Sequence, residues 1–336
     1  MPELPEVETV RRGLQRLVVG LPVRSVTALE PGGLRGDPSP LIGRRIAKTW
    51  RRGKVLGLDF EDGWSLVAHL KMTGQLVYRA GPAADAAGSA PDAAGPAAGD
   101  AGPAADAADA ADAAASAAGD AAGDAVGDIA WGGGHPSDSL IGPLPDKSTR
   151  VIIEFGRGRR LYFNDQRKFG WLAAMPTIAA GAIPLLAKMG PEPFGPEAWP
   201  EFRRRARRHR RAPIKAVLLD QSVIAGIGNI YADEALWAAR VHPQTTVAAI
   251  SDRKLKQILS AAAAVMELSL DLGGSTDRNY VDAEGRRGAY LDFAKVFRRQ
   301  GQPCPRCGRP IIKTRVAGRG THLCPRCQRR QTPPAA

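Results

Sequence analysis

The stretch Ala80–Asp128 limits what this chain can fold into: its 49 residues include 25 alanines and nine aspartates, no lysine or arginine, and otherwise almost only Gly, Pro and Ser. A tract without large apolar side chains cannot offset the entropy lost on ordering, so the sequence predicts a disordered insertion over about 80–135. The flanking segments must then close one fold across it, which is tolerable because loop-closure entropy grows slowly with length. Folding of the acidic tract onto a basic face, in competition with nucleic acid, is the alternative to a solvated spacer. The chain's 47 Lys and Arg exceed its 34 Asp and Glu by 13; with the nine tract aspartates set aside, the other 287 residues carry an excess of 22. That balance points to a polyanionic partner, nucleic acid or an anionic surface. No run approaches about 18 uninterrupted apolar residues, so no membrane span is expected. Glu3, Glu6 and Glu8 oppose a basic secretory start, and a cytoplasmic, non-secreted protein is expected.

Hydrophobic residues make up 44% of the chain, enough for packed cores. Glu6–Val18 places Val7, Val10, Leu14 and Leu17 at helical spacing. Short β-like runs follow at Val23–Leu29, Arg45–Trp50, Val55–Phe60, Ser65–Leu70 and Gln75–Tyr78, then at Arg150–Phe155, Arg160–Asn164 and Phe169–Ala173. These eight strands predict one β-sandwich interrupted by the tract. From about Ile183 the pattern is helical: Pro213–Val223, then a turn Ala225–Gly228, then Asn229 at the N-cap position opening Ile230–Arg240. Ser251 caps a longer helix that Gly273-Gly274 ends, and the polar segment Ser275–Ala289 reads as a loop.

All four cysteines lie near the C-terminus, as Cys304-x2-Cys307, sixteen residues, and Cys324-x2-Cys327. Two such knuckles can turn four thiolates onto one tetrahedral ion, leaving no open position, so one structural Zn2+ is expected rather than two disulfides. A segment this small lacks its own core, and metal binding should drive its folding. Two further features point to phosphate. Arg203–Arg211 holds seven arginines in nine residues, expected near a nucleic-acid backbone, with a solvated helix face as the alternative. The turn Gly226-x-Gly228-Asn229 aims backbone N–H groups at a helix entry, a natural phosphate site.

Met1 precedes Pro2, a small residue after which the initiator methionine is normally removed, which would free a secondary amine. Such an amine, with a reference pKa of about 7.7–8.0, can attack an aldehyde-like carbon and form an iminium electron sink. Glu3 alongside could give or take a proton.

Met1-Pro2-Glu3-Leu4-Pro5-Glu6-Val7-Glu8 resembles the start of the formamidopyrimidine-DNA glycosylases. The resemblance continues through Arg52-Gly53-Lys54, His69–Gly74, Asp165–Gly170, Gly226–Glu234 and the cysteine knuckles, nearly the whole chain outside the tract. Leu4 favours this branch over the endonuclease VIII relatives, which prefer oxidised pyrimidines. The implied fold is multidomain α+β: an N-terminal β-sandwich with an N-terminal helix (2–178), a helix-two-turn-helix domain (183–290) with a lesion loop at about 275–289, and a zinc-ribbon hairpin (295–330).

The implied activity is a bifunctional glycosylase and abasic-site lyase, removing 8-oxoguanine and formamidopyrimidines from damaged double-stranded DNA. It would work as a nucleoid-associated monomer. By the same resemblance Pro2 attacks C1′, Glu3 is the acid/base residue, Lys54 contacts the lesion phosphate, and Asn229 and Arg319 clamp neighbouring phosphates. Met72, Arg167 and Phe169 fill the gap left by the extruded base, and Lys168 stands in the same DNA-facing loop where Arg is more common. Departures also occur. Lys147-Ser148-Thr149-Arg150 replaces a His-rich phosphate-contacting stretch, and the lesion loop keeps Tyr280, Gly285, Gly288 and Tyr290 but has Ala289 and Leu291 beside that last tyrosine. A pyrimidine-preferring glycosylase, a non-catalytic damaged-DNA binding protein and a zinc-ribbon RNA-binding protein are the competing readings.

Overall fold

The computed structural model describes residues 2–80, the main chain of 130–134, residues 143–275 and residues 288–331. The expected disorder of the acidic tract, and the loop positions Tyr280 and Gly285, lie outside the described residues. Helix α1 (Leu4–Leu17) begins two residues before the position its periodicity predicts, because Pro5 sits in the first turn, where a missing N–H leaves no bond unmade. Val7, Val10 and Leu14 are fully buried in the core of the sandwich, whereas Leu4 is fully buried in the core of the helical domain. One helix thus enters two cores, and each such side chain contributes about 1.5–3 kcal/mol on burial.

The strands are β1 (Ser25–Ala28), β2 (Leu34–Arg35), β3 (Ile46–Arg52), β4 (Val55–Phe60), β5 (Trp64–His69), β6 (Gly74–Arg79), β7 (Ala130–Gly134), β8 (Thr149–Gly156), β9 (Arg159–Asp165) and β10 (Trp171–Pro176). They form two five-stranded sheets, ordered β1-β8-β9-β6-β7 and β2-β10-β5-β4-β3. Two of these strands go beyond the sequence pattern. The first, β2, has only two residues; the second, β7, lies within the range assigned to the insertion and pairs antiparallel with Gln75–Arg79. With three glycines among its five residues, β7 gives no apolar alternation, so only main-chain pairing reveals it. Strand β10 starts at Trp171, not Phe169, because the Asp165 carboxylate accepts the N–H groups of Arg167 (3.2 Å) and Gly170 (2.6 Å) and turns the chain. Phe169 is left on the turn, 54% exposed.

The remaining helices are α2 (Thr177–Ala180), α3 (Pro184–Ala187), α4 (Ala198–Ala206), α5 (Ile214–Leu219), α6 (Asn229–Ala238), α7 (Asp252–Asp271) and α8 (Tyr290–Phe293). Helix α5 stops four residues short of its predicted end, where Asp220 turns extended (φ −79°, ψ 108°). Ser251 caps α7 as expected, accepting the Lys254 N–H at 3.3 Å. The arginine run is largely satisfied within the protein: Arg203 and Arg207 pair with Asp252, and Arg204 and Arg205 with Glu201. Two carboxylates thus offset two of those four charges within the protein. No helix among the described residues is long and apolar enough to cross a membrane.

A hairpin of β11 (Ile312–Val316) and β12 (Arg319–Leu323) closes the chain. It is fastened to the helical domain by a buried ion pair. Lys215 Nζ donates to Asp233 Oδ1 (2.6 Å), Thr321 Oγ1 (2.8 Å) and the Gly320 carbonyl (3.0 Å), and Asp233 Oδ2 accepts the His322 N–H (2.9 Å). Glu234 next door accepts the N–H groups of Lys295, Val296 and Phe297, fixing the chain that leads into the hairpin. Removing one partner of such a pair leaves an uncompensated buried charge. Lys215→Met should therefore lower the unfolding free energy by about 3–5 kcal/mol in a urea titration; a loss under about 1 kcal/mol would contradict this anchoring.

Candidate active site

The N-terminal segment lies against the turn that opens α6. Leu4 donates its N–H to the Gly226 carbonyl at 3.1 Å, and Pro2 and Glu3 are buried beside it. The glycines of this turn permit the approach. A Cβ on Gly226 (φ +89°) would fall 2.5 Å from Leu4 Cδ1, and one on Gly228 would fall 2.2 Å from Glu3 Cδ. The N-cap of α6 is Gly228, not Asn229, so the Asn229 side chain is not used in capping. Nor do the turn's N–H groups all await phosphate: the Ile230 N–H already donates to Glu3 Oε1 at 3.0 Å.

Glu3 is 3% exposed, and its second oxygen, Oε2, has no hydrogen-bond partner among the described residues. Burial pushes its carboxyl up to about 7, against the pull of the Lys54 ammonium. Lys54 is 5% exposed, not a surface lysine, and its Nζ donates to the Ile227 carbonyl at 2.9 Å. Burial lowers its pKa, and the charges of Glu3 and Glu6 oppose that shift. The turn carrying Lys54 is held by Glu192, whose Oε1 accepts from Arg51 and from the Gly53 N–H, each at 2.7 Å.

Glu6, to which the sequence alone assigns no role, joins three segments. Its carboxylate accepts the Glu3 N–H (2.8 Å), the Tyr231 hydroxyl (2.6 Å), and the N–H and hydroxyl of Ser275 (2.9 and 2.7 Å). A sequence signal for it exists in the Glu3-x-x-Glu6 spacing, which lets an N3 carboxylate reach back to the N-cap N–H. Lys215, Asp233 and Glu192 give no such signal, because their partners are distant in the chain.

The other expected residues fall into two groups. Asn229 opens α6 with its side-chain oxygen buried and unpartnered among the described residues, and Arg319, exposed at the start of β12, is close enough to depress Lys54 further. Met72, Arg167 and Phe169 cluster on two neighbouring turns: Arg167 Nη1 lies 3.0 Å from Met72 Sδ, and its guanidinium is 5.0 Å from the Phe169 ring centre. Lys168 ion-pairs with Glu30 at 2.8 Å instead of standing free. Of the altered phosphate stretch, Ser148 and Thr149 are bonded to Asp146 and Arg150 is turned inward, while Lys147 is exposed.

The sulfur atoms of Cys304, Cys307, Cys324 and Cys327 all lie within 4.8 Å of one another, and none is in a disulfide. Tetrahedral thiolates about 2.3 Å from one zinc stand about 3.8 Å apart, so the cluster fits that ion. Trp237 Nε1 donates to Cys304 Sγ at 3.5 Å, favouring the thiolate.

Three family models cover this architecture: the formamidopyrimidine-DNA glycosylase N-terminal domain over residues 1–172, its H2TH domain over 189–280, and a zinc finger found in this glycosylase and in isoleucyl-tRNA synthetase over 301–330. The formamidopyrimidine-DNA glycosylase of Desulforamulus reducens is 35% identical over 98% of this chain and 99% of its own length. The chain belongs to the formamidopyrimidine-DNA glycosylase family. The crystal structure of the Thermus thermophilus protein matches it at TM-score 0.73 and 35% identity, over 98% of this chain and 100% of that one. A Lactococcus lactis glycosylase in complex with DNA containing an abasic site matches at TM-score 0.72 and 28% identity, again over 98% and 100%.

The chain is a base-excision-repair glycosylase and abasic-site lyase acting on oxidised purines, and its four cysteines hold one structural zinc ion. The buried carboxyl leads to a pH prediction. A Glu3 that donates a proton does so only while protonated, so kcat/KM for base release should fall as pH rises through about 7. Glu3→Gln should abolish most base release and that alkaline limb together; a limb surviving in the variant would assign it to another group.

Proposed function

We propose that Pro2 is the nucleophile on damaged double-stranded DNA, with Glu3 as its proton partner and Lys54, Asn229 and Arg319 as ligands of the phosphates around the lesion. The carrying observation is the buried Glu3 oxygen next to Pro2 in the chain, unpartnered among the described residues and within the field of the Lys54 ammonium. Freed of Met1, the Pro2 nitrogen attacks C1′ of the extruded nucleotide. The glycosidic bond breaks, and the base leaves with a proton from Glu3. The C1′–O4′ bond then breaks as O4′ takes the proton from the Pro2 nitrogen, and the ring-opened iminium draws electrons toward C1′. Loss of a C2′ proton breaks the C3′–O bond, and a second elimination breaks the C5′–O bond, leaving a gap flanked by phosphates.

Extrusion costs a few kcal/mol of unstacking. Met72 and Phe169, apolar and exposed, supply a wedge that offsets it, and Arg167 beside them supplies donors for the base left unpaired. Every group in this scheme comes from one chain, which suits a monomer working on cytoplasmic DNA.

The direct test is borohydride reduction with duplex DNA carrying 8-oxoguanine opposite cytosine. A covalent adduct on the N-terminal peptide is expected. Its absence from intact, zinc-loaded protein would leave a damaged-DNA binding protein without lyase chemistry. Arg319→Ala should weaken binding and reduce the salt slope by about one phosphate; an unchanged slope would remove Arg319 from the clamp.

A further inference from the structure

The turn Gln166–Phe169 carries two of the three wedge residues, and it is braced from both sides. On the inside, Asp165 Oδ1 accepts the Thr73 hydroxyl as well as the Arg167 N–H, and Thr73 Oγ1 also accepts the Arg167 N–H at 3.0 Å. Lys168 takes a left-handed conformation (φ +57°) that a residue with a side chain adopts only under constraint. On the outside stands Arg150, 5% exposed. Its Nε donates to the Asp165 carbonyl at 2.9 Å, and its Nη1 meets Glu30 Oε1 at 2.7 Å. Glu30 Oε2 in turn holds Lys168 Nζ at 2.8 Å. Glu30 belongs to the β1–β2 connection, which is drawn onto Arg150 by the Leu29 N–H bond to its carbonyl (2.8 Å). Gly33 permits the closeness, since a Cβ there would lie 2.9 Å from Arg150 Cβ.

We propose that Glu30 and Arg150 are positioning residues that fix the Gln166–Phe169 turn and so set how Arg167 reads the base opposite the lesion. This rests on the assignment of Arg167 to the unpaired base. Discrimination among bases by a guanidinium depends on where its donors are aimed. A turn released from Lys168 and Arg150 lets Arg167 serve several opposite bases with similar geometry. The side-chain bonds of Glu30 and Arg150 run to each other, to Lys168 and to Asp165, whereas the Glu3 and Lys54 side chains bond the turn that opens α6. The chemistry at a preformed abasic site therefore does not depend on the brace.

Glu30→Gln keeps the size of the side chain and removes both ion pairs. It is compared with Glu30→Asp and Arg167→Ala in the full-length, zinc-loaded protein. Single-turnover excision of 8-oxoguanine is measured opposite each of the four bases, with borohydride trapping at a preformed abasic site and the thermal midpoint as controls. In Glu30→Gln the spread between the best and worst opposite base should narrow by about three- to tenfold, with trapping changed by less than about twofold. Glu30→Asp, which keeps the charge, should restore part of the spread. If Arg167→Ala narrows the spread and Glu30→Gln does not, the brace is refuted while the wedge reading stands. A wild-type spread that survives in Arg167→Ala removes the wedge reading and the brace with it. A parallel fall in trapping and thermal midpoint in Glu30→Gln would make Glu30 merely structural and would also overturn the proposal.

Discussion

The contact between the first residues of the chain and the turn that opens α6 is the constraint on which the rest depends. An N-terminal amine is normally among the most mobile groups of a protein. Here the Leu4 N–H is fastened to the Gly226 carbonyl, Glu3 Oε1 to the Ile230 N–H, and the Glu3 N–H to Glu6. Because α1 has its first leucine in the helical core and its next apolar side chains in the sandwich core, the amine is seated where the two domains meet. A duplex lying across both domains would meet Pro2, the proposed nucleophile, there.

Electrostatics follow from that seating. Burying a carboxylate costs free energy unless it is paired, and Glu3 is only half satisfied. The result is a carboxyl titrating near neutrality beside a lysine held below its usual basicity. The arrangement would be too costly in a small loop, and large supporting structures surround it. Glu192 and Arg51 hold the Lys54 turn, Glu6 joins the N-terminus to Tyr231 and Ser275, and the Lys215–Asp233 pair with the zinc cluster carries Arg319 into range. A structural zinc ion held by four thiolates steadies the hairpin that bears Arg319.

Much of this is legible in the sequence, for definite reasons. Four cysteines at knuckle spacing admit few readings, and strands with clear alternation, such as β4 and β5, lie within a residue of their predicted positions. The failures share one cause: partners far apart in the chain. Nothing local distinguishes Arg150 as an inward-turned brace from a phosphate contact, or marks Arg203 and Arg207 as partners of Asp252. The Gly226 and Gly228 spacing suggests a phosphate cradle, whereas the glycines make room for Leu4 and Glu3. A strand with three glycines in five residues, such as β7, carries no pattern to read.

The seating of the N-terminus can be tested at Gly228. A methyl group there would come within 2.2 Å of the Glu3 carboxyl carbon, the free end of a side chain, so the chain should fold normally but Glu3 should be driven off Ile230. The decisive measurement is the single-turnover rate of 8-oxoguanine release by Gly228→Ala, alongside its thermal midpoint. The account predicts a rate lower by about tenfold or more at a nearly unchanged midpoint, because small displacements of a catalytic group have effects of that order. A variant that is equally stable and releases the base at the wild-type rate would contradict it.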